Sequence, residues 1–246
     1  MVGLYFFIIG TFFGSFANVV IRRLPYGKSI VKPASHCPKC LIPIKWYDNI
    51  PIVSFFLLKG KCRNCKTTIS PEYLFVELVT AVYFLMAYFH FGLTSIFFIS
   101  LFLGFSLIVI SFTDLHLKII PDNIIILLLV FGLSSSFFNP VVNFNFLNSI
   151  KGALFGGVLL FLIAFVGCKI YKKDVLGGGD IKLLAAGGSF LGLQNIFFAF
   201  FVACFIGGII GLFLILIKNK KKSDFMPFGP FISIGILIIL YIGLWK

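Results

Sequence analysis

The chain has 246 residues, of which 60% are hydrophobic, 18% aromatic and only 12% charged. A soluble domain is roughly half apolar and a quarter charged, so this composition excludes a water-soluble all-α core and predicts an all-α integral membrane protein. The formal net charge of +13 calls for no nucleic-acid partner, because the basic residues gather in a few loops in the positive-inside pattern.

Apolar runs predict about eight transmembrane helices, at about 2–21, 72–90, 95–113, 121–138, 150–170, 180–192, 195–217 and 228–245. The sixth is short and is expected to start in a polar cavity or at the interface. No basic residue precedes the first apolar run, and Arg22 and Arg23 follow it. That order favours a first helix kept in the membrane with its N-terminus outside over a cleaved signal peptide. Loop 22–71 carries ten Lys or Arg against one acid, Asp48. Lys118 lies in the loop near 114–120. Lys169, Lys172 and Lys173 mark loop 169–179, and Lys218, Lys220, Lys221 and Lys222 mark loop 218–227. The intervening loops near 91–94, 139–149 and 193–194 have no Lys or Arg. The alternation predicts four cytoplasmic basic loops, suited to anionic lipid head groups, and both termini outside.

Three parts follow: a first transmembrane helix (1–21), a cytoplasmic loop (22–71) and a helical membrane domain (72–246). The loop is too small to hold itself together by an apolar core. It contains HCPKC (36–40) and KCRNC (61–65), two Cys-x-x-Cys knuckles. Their spacing can set Cys37, Cys40, Cys62 and Cys65 tetrahedrally round a structural zinc. Iron or another metal in the same four-sulfur shell is an alternative, free or redox cysteines are a second, and disulfides are disfavoured by a cytoplasmic loop. His36 reads as a solvated neighbour. Cys168 and Cys204, alone in apolar helices, read as packing residues.

The chain has eight acidic residues: Asp48, Glu72, Glu77, Asp114, Asp122, Asp174, Asp180 and Asp224. Near a membrane span each is a functional candidate. Asp114 closes the third span in SFTDLHLKIIPD, and Asp180 opens the sixth in VLGGGDIKLL. The topology puts both at the cytoplasmic face, where helices far apart in sequence can meet. Two carboxylates sharing an environment do not both ionise easily, so one can act as base while the other carries a proton. That is aspartic-peptidase chemistry. Gly177, Gly178 and Gly179 let a backbone come close to Asp180. Helix capping explains Asp180 equally well on pattern alone. Asp122, after Pro121, reads as a cap.

With these motifs in hand, the chain resembles the bacterial type IV prepilin peptidase family. The resemblance runs through GSFANVVIRRLP (14–25), the two knuckles, PEYLFVELVTA (71–81), DLHLKIIPD (114–122), GGGDIKLLAAGGSFLG (177–192) and MPFGPFISIG (226–235). The GxGD stretch 177–180, with Gly177 and Gly179, is also similar to that of presenilin-like and preflagellin peptidases. The resemblance implies that Asp114 and Asp180 are the catalytic pair. It also implies that basic leaders are cut from prepilin or pseudopilin precursors at the cytoplasmic face of the bacterial inner membrane. A second step would methylate the new N-terminus from S-adenosylmethionine. Met226 and Pro71-Glu72-Tyr73 depart from the usual pattern without touching either aspartate. A proton-coupled transporter would keep its carboxylates nearer the midplane, and an inactive zinc scaffold would have no need of both aspartates.

Overall fold

The computed structural model describes residues 2–172, 176–218 and 226–243. Among these, no strand forms, and the only extended pairing is two isolated bridges in the cysteine loop. Eight α-helices follow in order: α1 Val2–Arg23, α2 Val53–Leu57, α3 Pro71–Phe91, α4 Ser95–Leu117, α5 Asp122–Ser135, α6 Phe146–Tyr171, α7 Gly178–Lys218 and α8 Gly229–Ile242. Five of them (α1, α3, α4, α6 and α7) are long and apolar enough to cross a membrane, while α5 and α8 are shorter apolar helices. Lys173, Asp174, Lys220, Lys221, Lys222 and Asp224 lie outside the described residues.

α7 is two helices in one run. Gly192 interrupts it at φ 74°, ψ 178°, a conformation open essentially to glycine alone. The halves, 178–191 and 193–218, match the expected sixth and seventh spans. With α7 counted as two, the apolar helices number eight, as the sequence predicts. A break leaves backbone carbonyls without their intrahelical partners, and each buried one must find another. Side chains supply them: Ser149 donates to the Ser189 carbonyl (2.6 Å), Asn139 to Phe190 (2.8 Å) and Asn195 to Leu191 (3.1 Å).

The chain forms two compact units, residues 1–109 and 110–246. In the first, α1 and α3 touch through GTFFG (10–14). A Cβ on Gly10 would stand 2.7 Å from the Ala81 Cα, and one on Gly14 would stand 2.6 Å from the Glu77 Cα. Small residues four apart let helix backbones approach this closely in a membrane. In the second unit, α6 meets α7 at a similar seam, Gly152 against Gly188 and Gly156 against the Leu184 carbonyl. Gly235 of α8 lies against the Ala199 carbonyl of α7. The outward face of α6, with Leu154, Val158, Phe161, Leu162 and Phe165 exposed, is what lipid requires. Cys204 is exposed on α7, so it faces outward and is not the packing residue its apolar context predicts.

Candidate active site and metal centre

In the second unit, α4 ends where Lys118 turns into the left-handed region (φ 55°) and donates its N–H to the Asp114 carbonyl (2.9 Å). Ile119, Ile120 and Pro121 then lead into α5. The buried Ile120 is the wedge of the site: a Cβ on Gly179 would meet its Cβ at 2.9 Å, and one on Gly229 its Cδ1 at 3.2 Å. One connector residue thus packs against the first turns of both α7 and α8.

This packing brings the two aspartates together. Asp114 and Asp180 are each only 5% exposed, and their charges interact. Oδ2 of Asp114 accepts the Gly229 N–H at 3.0 Å. A Cβ at Gly229 would lie 2.7 Å from that oxygen, so only glycine allows the bond. Asp180 lies in the first turn of α7, and its carboxylate accepts from the Gly177 backbone. Gly177 and Gly179 both have a close neighbour, whereas a Cβ on Gly178 would meet open space. Asp122 departs from the sequence expectation. The N-cap of α5 is Pro121, and Asp122 is the first residue inside the helix, its exposed carboxylate paired with Lys182 (2.8 Å). It is an ion-pair partner at a helix start, where negative charge is favoured.

In the first unit the two cysteine knuckles repeat one another. Cys37 N–H bonds the Ile42 carbonyl as Cys62 N–H bonds Thr67, and Leu41 N–H bonds Cys37 as Lys66 N–H bonds Cys62. His36 bridges Pro43 as Lys61 bridges Thr68. Leu41 and Lys66 both stand at φ 58°, the turn that folds each second cysteine back towards the first. The four sulfurs lie within 4.8 Å of one another, with Cys37 and Cys65 3.7 Å apart. Bonds of about 2.3 Å to a tetrahedral metal imply sulfur–sulfur edges of about 3.8 Å, and a disulfide needs about 2 Å. The cluster fits a metal ion, and all four cysteines are free. N–H groups of Cys40 and Lys39 pull the Cys37 thiol down to about 6. Cys40 takes an N–H bond from Ile42, yet desolvation and the neighbouring sulfurs push it up to about 11. A bound cation takes the sulfurs as thiolates. His36 bonds the Ala34 carbonyl and is not among the clustered ligands. Arg63 grips Asp48 through two bonds of 2.7 and 2.6 Å and holds its carboxyl below the usual range.

Three further residues carry these sites without a role read from the sequence. Gly229 and Ile120 lie in the quoted stretches MPFGPF and IIPD, but only their neighbours give them meaning. Glu77, one acid among eight, is buried between α1 and α3.

Comparison with known proteins identifies the family. Residues 8–91 match the bacterial peptidase A24 N-terminal domain, and residues 101–212 match the type IV leader peptidase family. A Bacillus subtilis relative is 37% identical over 236 residues, covering 96% of this chain and 92% of the relative. One from Pseudomonas aeruginosa is 30% identical over 259 residues, covering 96% and 89%. One from Myxococcus xanthus is 33% identical over 216 residues, covering 88% of this chain but 64% of the relative's own length. All three are named prepilin leader peptidase/N-methyltransferase. No solved structure matches.

Proposed function

Because the chain belongs to the type IV leader peptidase family, we propose that it is a membrane aspartic endopeptidase whose catalytic pair is Asp114 and Asp180. It removes basic leaders from prepilin or pseudopilin precursors and then methylates the new N-terminus. The observation that carries the reading is the pair of buried aspartates at the end of α4 and the start of α7, set beside the glycines that pack on Ile120. One carboxylate accepts a proton from the attacking water. The other, protonated, donates to the departing amine. Gly229 N–H holds Asp114 in one orientation, while Gly177 and Gly179 keep side chains out of the approach to Asp180.

The protein sits in the bacterial inner membrane with its N-terminus outside and the cysteine loop and aspartates on the cytoplasmic side. The loop charges support this orientation, and the same lysines suit anionic lipids. The metal of the four cysteines is zinc, in a closed shell that holds the loop and performs no hydrolysis. S-adenosylmethionine, when bound, supplies a methyl group carried on a sulfonium. Glu77, a buried carboxylate that no Lys, Arg or His pairs among the described residues, fits a reaction with a cationic reactant. The layout follows as a first helix (1–21), a zinc loop (22–71) and a peptidase domain (72–246).

The test is cleavage of a precursor by the purified protein. Asp114→Asn or Asp180→Asn should lower the rate by at least about a hundredfold, the usual loss for a general acid or base. Asp122→Asn should stay within a few-fold of the parent. An Asp180→Asn protein that cuts at the parent rate would remove Asp180 from the mechanism.

A further inference from the structure

The first unit contains a buried polar group that proteolysis does not use. Glu77 lies in the second turn of α3 and is 8% exposed. Its Oε2 accepts the Ile52 N–H at 2.7 Å, and the Ser15 hydroxyl of α1 also donates to it. Asn18, one turn along α1 from Ser15 and 5% exposed, donates to the Tyr73 carbonyl of α3 (3.0 Å). A polar track therefore runs between two helices that are otherwise apolar. Of the charged groups at this end of the helices, Arg22 and Glu72 pair with each other at 3.1 Å, and Arg23 donates to the Ser29 and Pro33 carbonyls. A carboxylate desolvated to this degree without a counter-ion is costly to keep, and in a membrane helix it marks a site for a cation.

What Glu77 holds is unusual as well. Ile52 stands at φ 62°, ψ −55°, and the Val53 N–H bonds the Pro51 carbonyl at 2.6 Å. This is a γ-turn with positive φ, the rare and strained form, centred on a β-branched residue that such a φ suits least. Backbone strain of this kind persists only where the surroundings impose it and is concentrated at functional sites. Here the turn, in the loop that also carries the cysteines, fills the carboxylate with a backbone N–H. A stronger N–H donor that took its place would release the strain.

We propose that Glu77, with Ser15 and the Pro51–Val53 turn, is the site that binds and deprotonates the substrate's N-terminal amine for methyl transfer. The inference rests on the methylation reading above. The ammonium of the trimmed substrate displaces the Ile52 N–H and gives one proton to the Glu77 carboxylate. The neutral amine then attacks the methyl carbon of the sulfonium donor. The new N–C bond forms as the C–S bond breaks, its electron pair stays on sulfur as a neutral thioether, the product departs as a secondary ammonium, and Glu77 returns its proton to water.

The experiment uses the full chain in detergent or nanodiscs and a synthetic peptide with the mature N-terminal sequence, so that cleavage is bypassed. Without methyl donor, the parent should bind the free-amine peptide at least about tenfold more tightly than its N-acetyl form, the effect of a single charge-assisted bond. Glu77→Gln, nearly isosteric, should erase that preference while keeping metal content and protease resistance of the loop. With donor added, Glu77→Gln should methylate poorly at pH 7 and recover towards the parent as pH rises past about 8, where an α-amine loses its proton unaided. Glu77→Asp should retain part of both activities. Equal amine preference in parent and Glu77→Gln overturns the proposal. So does a methylation defect that is constant with pH or accompanied by loss of the metal, either of which makes Glu77 a strut for the loop. A parent that prefers the free amine yet never methylates it would sink the methylation reading and leave the amine site standing.

Discussion

The described aspartates of this chain take their roles from their immediate neighbours. Asp48 meets a guanidinium, Asp122 meets an ammonium in the open, and Asp114 and Asp180 meet backbone N–H groups and each other. Gly229 shows how narrow the tolerance is. A methyl there would sit 2.7 Å from Oδ2 of Asp114, and since a 1 Å displacement of a catalytic group can cost about a hundredfold in rate, Gly229→Ala should cripple cleavage. Thermal unfolding should shift only slightly, because Asp114 can swing away without opening the core. A Gly229→Ala protein with parent activity would mean that the Gly229 N–H does not orient the pair. Gly178 is the internal control: its missing side chain faces open space, so Gly178→Ala should be far milder than Gly179→Ala, whose Cβ presses on Ile120. The aspartates themselves were legible from their motifs. Gly229 was not, because a glycine's importance depends on what faces it, and Asp114 is 115 residues away in the chain.

At the scale of elements, the cysteine loop and α7 make opposite demands on the backbone. The loop has few buried side chains, and its order comes from two matching knuckles closing on one point. Replacing Cys62 by Ser should abolish binding of the metal, read as about one ion per chain in the parent, and should expose the loop to protease. Precursor cleavage should persist. Full metal content in that variant would separate Cys62 from the ligand set. α7 requires a break, and Gly192 makes it at a backbone conformation with ψ near 180° and positive φ. Gly192→Ala should cost about 1–3 kcal/mol, seen as a lower melting temperature in detergent, with Asn148 3.1 Å from the new Cβ adding to the strain. Two spans where the helix runs on were legible from hydropathy. The three side chains that rescue the freed carbonyls were not, since Asn139 and Ser149 lie in a connector and in α6, with no periodic signal to single them out.

For the whole molecule, the alternation of basic and uncharged loops leads to a definite topology that impermeant thiol labelling can check. In a Cys168→Ser, Cys204→Ser background, a cysteine placed at Thr94 should react in intact cells, and one placed at Lys28 only after permeabilisation. The reverse pattern would invert the orientation. Hydropathy, loop charge and the knuckle spacing are properties of neighbouring residues, so the sequence by itself determined the membrane class, the rough number of apolar helices, the four-cysteine loop and the pair of aspartates worth testing. Contacts between distant segments obey no local period. Only the tertiary structure could decide that Ile120 wedges against Gly179 and Gly229, that the Gly229 N–H orients Asp114, that Asp122 pairs with Lys182 and does not cap α5, and that Glu77 holds a strained turn of the cysteine loop. In each case a close approach of backbone, or a buried polar group in need of a partner, selects the residue, and that need exists only once the helices have packed.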